Sequence, residues 1–156
     1  MAETTFKNAT NGATSRPYIL VIDDNPDMLM LNQLILEMDG FVVRTAANGP
    51  AALAILEDPM QPDLILLDMC MEGMSGPEFL AALEQENPTT FAAVPVVYLT
   101  AMQQVPAGKH SGFLRKGLDN CQFVEAIHHF LAAGPRRCKG DAVGGVGYSP
   151  GVCGDS

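Results

Sequence analysis

Two short apolar runs, each closed by aspartate, constrain this chain more than any other feature. Tyr18-Ile-Leu-Val-Ile22 ends at Asp23-Asp24, and Leu64-Ile-Leu-Leu67 ends at Asp68. Large and β-branched residues in unbroken runs of four or five predict strands covered on both faces. The pattern after the first run turns helical. Asn25 is a good N-cap and Pro26 suits the first turn. Met28, Leu31, Leu34, Ile35 and Met38 recur at helical spacing, which predicts that they form the inward face, and Gly40 is placed to end the helix.

The alternation continues. Phe41 to Ala46 is a second, weaker strand, and Asn48-Gly49-Pro50 open a helix with Leu53 and Leu56 facing inward. Pro59 and Pro62 bracket the turn into the run at 64–67. Ser75-Gly-Pro-Glu78 has capping-box spacing and starts a helix carrying Phe79, Leu80 and Leu83. Val94 to Leu99 reads as a strand whose proline is tolerated near its start, and it ends at Thr100. Ser111 to Arg115 is a short strand, and Asp119 to Gln122 cap a last helix through Cys121, Val124, Ile127, His128 and Leu131. Five strands alternating with helices demand right-handed crossovers, so the expectation is an α/β fold, a doubly wound parallel sheet. Residues 1–16 are polar and aperiodic and are expected to be a disordered tail. Residues 134–156 are glycine-rich with few large apolar side chains and are expected to be another, which leaves one stand-alone domain over 17–133.

Charge removes several function classes. Nine Lys and Arg against eighteen Asp and Glu give −9, which disfavours nucleic acid as a partner, because phosphate binding needs basic surface. No apolar stretch approaches the roughly 18 residues of a membrane span, and Met1 to Ser15 lacks an apolar signal core. Cys70, Cys121, Cys138 and Cys153 have no zinc-like spacing. A cytoplasmic protein with reduced thiols and no membrane partner is expected.

The chemistry collects at the carboxyl ends of the strands, where open α/β sheets bind ligands. The first strand ends with Asp23 and Asp24, the third with Asp68 and the fourth with Thr100, while Lys116 follows the fifth. Three carboxylates in one place repel one another, and a hard divalent cation relieves that repulsion. Mg²⁺ suits them, since it takes oxygen ligands from one or two carboxylates and keeps several waters. A carboxylate nucleophile, a cation, a hydroxyl and an ammonium together suit phosphoryl transfer, with Asp68 forming an acyl phosphate, Thr100 donating to one phosphoryl oxygen and Lys116 neutralising another. No glycine-rich phosphate loop occurs, so nucleotide binding has no support.

In this order, Asp23-Asp24 after an apolar strand, L-I-L-L-Asp68-M-C-M, Gly76, L-Thr100-Ala101 and F-L-R-Lys116, the chain resembles the receiver domain of two-component response regulators over about 17–133. The resemblance implies a flavodoxin-like five-stranded sheet in the order 2-1-3-4-5. It implies that Asp68 is the phosphoacceptor, charged by a histidine kinase, a phosphotransfer protein or a small acyl phosphate. Asp23, Asp24, Asp68 and the backbone carbonyl of Cys70 are then the Mg²⁺ site. Lys116 pairs with the acceptor, Thr100 follows the phosphoryl group, and Phe113 stands at the family's aromatic switch without the hydroxyl a tyrosine would bring. The implied output is altered docking to a downstream protein of unknown identity.

Three positions depart from the family pattern. Glu72 stands where proline is frequent and adds negative charge near the site. Gly117 replaces a proline that commonly follows a cis bond after the lysine. The segment Ala101 to His110 is short, holds Pro106 and Gly108, and predicts a fourth helix that is shortened or absent. Two other functions compete with the signalling one. A receiver that docks partners without being phosphorylated accommodates the departures. A Mg²⁺-dependent phosphohydrolase would want a second acid two residues after its nucleophile, where this chain has Cys70. The expected function is signalling, with no enzymatic activity beyond the domain's own phosphorylation and dephosphorylation.

Overall fold

The structure is a computed structural model that describes residues 16–69, 71–101, 112–116, 119–133 and 146–147. The strands are β1 (Tyr18–Ile22), β2 (Val42–Ala46), β3 (Leu64–Asp68), β4 (Val96–Thr100), β5 (Gly112–Arg115) and β6 (Val146–Gly147). The helices are α1 (Pro26–Met38), α2 (Gly49–Ile55), α3 (Gly76–Glu86), α4 (Pro88–Ala93) and α5 (Asn120–Ala133). All strand pairs are parallel, and the first five strands take the order 2-1-3-4-5 expected of a flavodoxin-like sheet. β1, β3 and β4 are buried at every residue, which accounts for their unbroken apolar runs.

Alternate strand residues feed two cores. Leu20, Ile22, Ile65, Leu67, Val96 and Tyr98 pack with Ala52, Leu56, Phe79 and Leu83 of the α2–α3 side. Ile19, Val21, Leu64, Leu66, Val97 and Leu99 pack with Leu36 of α1 and Phe123, Ile127 and Phe130 of α5 on the other side. The sheet is therefore covered on both faces.

The local signals set the helix ends. Asn25 accepts from the amides of Asp27 and Met28, and Asn48 accepts from that of Ala51. Ser75 and Glu78 form the reciprocal capping box, and Asp119 accepts from the Gln122 amide. α1 closes with Gly40 at φ +95°, where the Phe41 amide donates to Leu36 and the Gly40 amide to Glu37, the paired bonds of a Schellman turn.

Four sequence expectations need correction or addition. The inward face of α1 is set by Asn32 and Leu36, with Leu29 and Ile35 beside them, whereas Leu31, Leu34 and Met38 are exposed. An apolar stripe wider than the core can cover has several helical phases, and packing against α5 selects the one centred on Leu36. The strand expected from Val94 begins at Val96, because Val94 closes α4 and Pro95 has no amide to donate. α4 itself was not anticipated: Asn87 ends α3, caps the new helix through the Thr90 amide, and precedes Pro88 at its first position. Val146–Gly147, within a stretch expected to be disordered, pairs with Gly112–Phe113 as a sixth strand. The segment Ala101 to His110, expected to carry a shortened or absent helix, lies outside the described residues except for Ala101, as do Gly117 and most of both terminal stretches.

Candidate functional site

Parallel register brings the site together. Ile22 pairs with Leu67 and Asp68 with Leu99, so β1, β3 and β4 end side by side. The ladder runs one step past each strand: Asp23 donates its amide to Ala46, Met69 to Leu99 and Lys116 to Thr100. The backbones that carry Asp23 and Lys116 are thus held by sheet hydrogen bonds.

At this edge one carboxylate oxygen each from Asp23, Asp24 and Asp68 lies within 4.8 Å of the others. Asp23 is fully buried, Asp68 is 4 % exposed and Asp24 faces solvent. Asp23 accepts from the Asn25 amide at 2.9 Å through Oδ1, while its Oδ2 is buried with no hydrogen-bond partner among the described residues. Burial pushes the Asp23 carboxyl above the usual carboxylate range; the Asn25 amide opposes this, the Asp68 charge adds to it, and Lys116 opposes it again. Lys116 Nζ lies 3.2 Å from Asp68 Oδ1, the ammonium one-third exposed and the carboxylate nearly enclosed.

Asp24 is steadied from the loop after β3, where the Glu72 amide donates to its Oδ2 at 3.1 Å. In the sequence Glu72 reads only as added negative charge near the site. Its side chain is exposed, and the contribution comes from a backbone N–H that a proline at this position would lack. No side-chain signal could have announced this contact. The same loop turns through Gly73 at φ +84° and returns to the sheet at Gly76, whose amide donates to the Met69 carbonyl at 2.9 Å. A Cβ on Gly76 would meet Tyr98 at 2.7 Å and the Met69 backbone at 3.1 Å, so only glycine allows α3 to start so close to the site.

Of the residues singled out in the sequence, Asp23, Asp24, Asp68 and Lys116 converge. Thr100 is buried at the end of β4, and its carbonyl receives the Lys116 amide. Phe113 pairs with Tyr98 on the neighbouring strand and packs, half-buried, on the α2–α3 side of the sheet. Cys70 lies outside the described residues. The carboxylate set fits a hard cation: three oxygen donors converge, and Asp23 Oδ2 is buried with no hydrogen-bond partner among the described residues.

An acidic cluster at the strand termini of a doubly wound parallel sheet, faced by a lysine, defines a receiver-like signalling domain. The chain belongs to the response regulator receiver domain family, which matches residues 19–128. It is 38 % identical over 106 residues to the sensor histidine kinase GacS of Pseudomonas protegens, covering 67 % of this chain and 11 % of that protein. To the transcriptional regulatory protein CpxR of Escherichia coli it is 41 % identical over 83 residues, covering 53 % of this chain and 33 % of CpxR. The chain thus spans from about a tenth to about a third of the length of these relatives. The chemotaxis response regulator CheY4 of Vibrio cholerae shares the fold with a TM-score of 0.65 at 24 % identity, covering 74 % of this chain and 98 % of that one. These relationships place the chain in two-component signalling. Among the described residues, no helix is long and apolar enough to cross a membrane.

Proposed function

We propose that the domain accepts a phosphoryl group on Asp68 in a Mg²⁺-dependent reaction and signals by altered docking to a partner protein. The observation that carries this reading is the meeting of the three carboxylates within 4.8 Å, one oxygen of Asp23 left unsatisfied, with Lys116 Nζ 3.2 Å from Asp68. Asp23, Asp24 and Asp68, with the Cys70 carbonyl, would hold the cation, which supplies charge neutralisation for the transferred group.

In the reaction an Asp68 carboxylate oxygen attacks phosphorus and forms the new P–O bond. The bond from phosphorus to the donor breaks, and its electron pair leaves with the donor: imidazole nitrogen for a histidine kinase or phosphotransfer protein, a carboxylate for a small acyl phosphate. Lys116 exchanges its contact with the Asp68 carboxylate for one with a phosphoryl oxygen, and Thr100 donates its hydroxyl to another. Phe113, without a hydroxyl, answers through burial alone, and a ligand of this kind shifts the fold only by its differential stabilisation of the two arrangements.

Incubation with acetyl phosphate and Mg²⁺, followed by intact mass, tests the reading. One labile phosphoryl adduct is expected, and Asp68→Asn removes it. An unmodified wild-type protein would instead support a docking module that is not phosphorylated, and steady release of phosphate from phosphate esters would support a phosphohydrolase.

A further inference from the structure

The loop that joins β3 to α3 carries two parts of the site. Asp68 is its first residue, at the end of β3, and the Glu72 amide within it donates to Asp24 Oδ2 at 3.1 Å. The loop is closed at its neck, where the Gly76 amide donates to the Met69 carbonyl at 2.9 Å. The Met69 amide is held in turn by the Leu99 carbonyl of β4 at 3.2 Å.

One side chain of β4 stands against this neck. Tyr98 is 3 % exposed, and its Cε1 lies 2.7 Å from where a Cβ on Gly76 would be. That same point is 3.1 Å from Met69 Cα, so the ring edge fills the angle between the two residues that close the loop. The ring is braced on the other side, in one core with Phe79, Leu80 and Leu83 of α3, and its backbone is paired with Leu67 and Phe113 on the flanking strands. A planar side chain with two torsions is a stiff strut, and the contact at Gly76 is made by a ring carbon and not by the hydroxyl.

We propose that Tyr98 is a positioning residue for phosphoryl transfer, its ring propping the neck of the loop and so fixing where Asp68 and the Glu72 amide stand. This rests on the reading of Asp68 as the phosphoacceptor. Removing the ring leaves a gap into which Gly76 and Met69 can settle, and a misplacement of about 1 Å at a reacting centre is enough to slow it by up to about a hundredfold.

Tyr98→Leu and Tyr98→Phe in the full chain test this, with adduct formation from acetyl phosphate and Mg²⁺ followed by intact mass. Tyr98→Leu is expected to slow the adduct by about tenfold or more, and Tyr98→Phe, which keeps the ring edge, to restore the rate to within about twofold of wild type. Amide hydrogen exchange separates positioning from lost stability. In Tyr98→Leu the protection of the Gly76 amide is expected to fall at least several-fold more than that of the Ile65 amide, which is bonded to the Pro95 carbonyl inside the sheet. Tyr98→Met, unbranched and longer, gives the same comparison should the leucine variant not fold. A wild-type rate in the folded leucine or methionine variant, a phenylalanine variant as slow as either, or equal loss of protection at the two amides would each overturn the proposal. No adduct on the wild-type protein would instead overturn the reading of Asp68, and this role of Tyr98 with it.

Discussion

Lys116 reaches Asp68 across an intervening strand: its Nζ, just beyond β5, lies 3.2 Å from an oxygen at the end of β3, with β4 between them. This contact links the charge state of Asp68 to the last strand of the five-stranded core, and under the proposed function it is a contact that a phosphoryl group on Asp68 would disturb.

Lys116→Met keeps the length of the side chain and removes its charge. Its phosphorylation by acetyl phosphate should slow by at least about tenfold, because a positioned cation that neutralises developing charge is lost. Adduct formation followed by intact mass measures this, and an unchanged rate would show that Lys116 serves only the unphosphorylated state.

Stability should vary with pH through Asp23. In the unfolded chain this carboxyl ionises near about 3.9. Its folded value is raised, chiefly by burial, so over the interval between the two the native state holds more protons. Stability therefore falls as pH rises through that interval, measured without divalent metal. Asp23→Asn retains an acceptor for the Asn25 amide and should flatten the profile and stabilise the metal-free protein at neutral pH. Urea unfolding at a series of pH values checks both; a wild-type profile that rises relative to the variant would contradict them.

Mg²⁺ should raise the melting temperature, since a ligand of the native state alone at a hundred times its Kd adds about 2.7 kcal/mol. Asp24 faces solvent, so Asp24→Ala should fold normally yet lose most of that increment. Melting curves with and without the ion make the comparison. An equal rise in both proteins would place the ion elsewhere.

Gly76→Ala should cost about 1–3 kcal/mol, the usual penalty for forcing a methyl into a filled space. The added carbon meets Tyr98 and the Met69 backbone, and α3 cannot retreat without breaking the Gly76–Met69 hydrogen bond. Denaturant unfolding measures the loss.

Much of this arrangement was readable before any coordinates. Strands buried on both faces write themselves as unbroken apolar runs, and Asp23, Asp24 and Asp68 stand out because acids interrupt those runs at their ends. Caps were legible at Asn25, Asn48, Ser75 and Asp119 because each acts within three residues of itself. The phase of α1 was not legible: Leu31 and Leu34 are as apolar as Leu36, and only the position of α5 decides which of them is enclosed. Nor was the Glu72 amide on Asp24, since a backbone donor leaves no mark on the identity of its side chain. The pairing of Val146–Gly147 was hidden for a related reason, as two residues are too few to show a period.

That pairing gives the sheet a guarded border. Beside Gly112 and Phe113 the outer rim of β5 is already taken by the chain's own residues, so a peptide seeking to join there as an extra strand must first evict them. Two residues make a short latch, and strand addition at this rim would begin with its release.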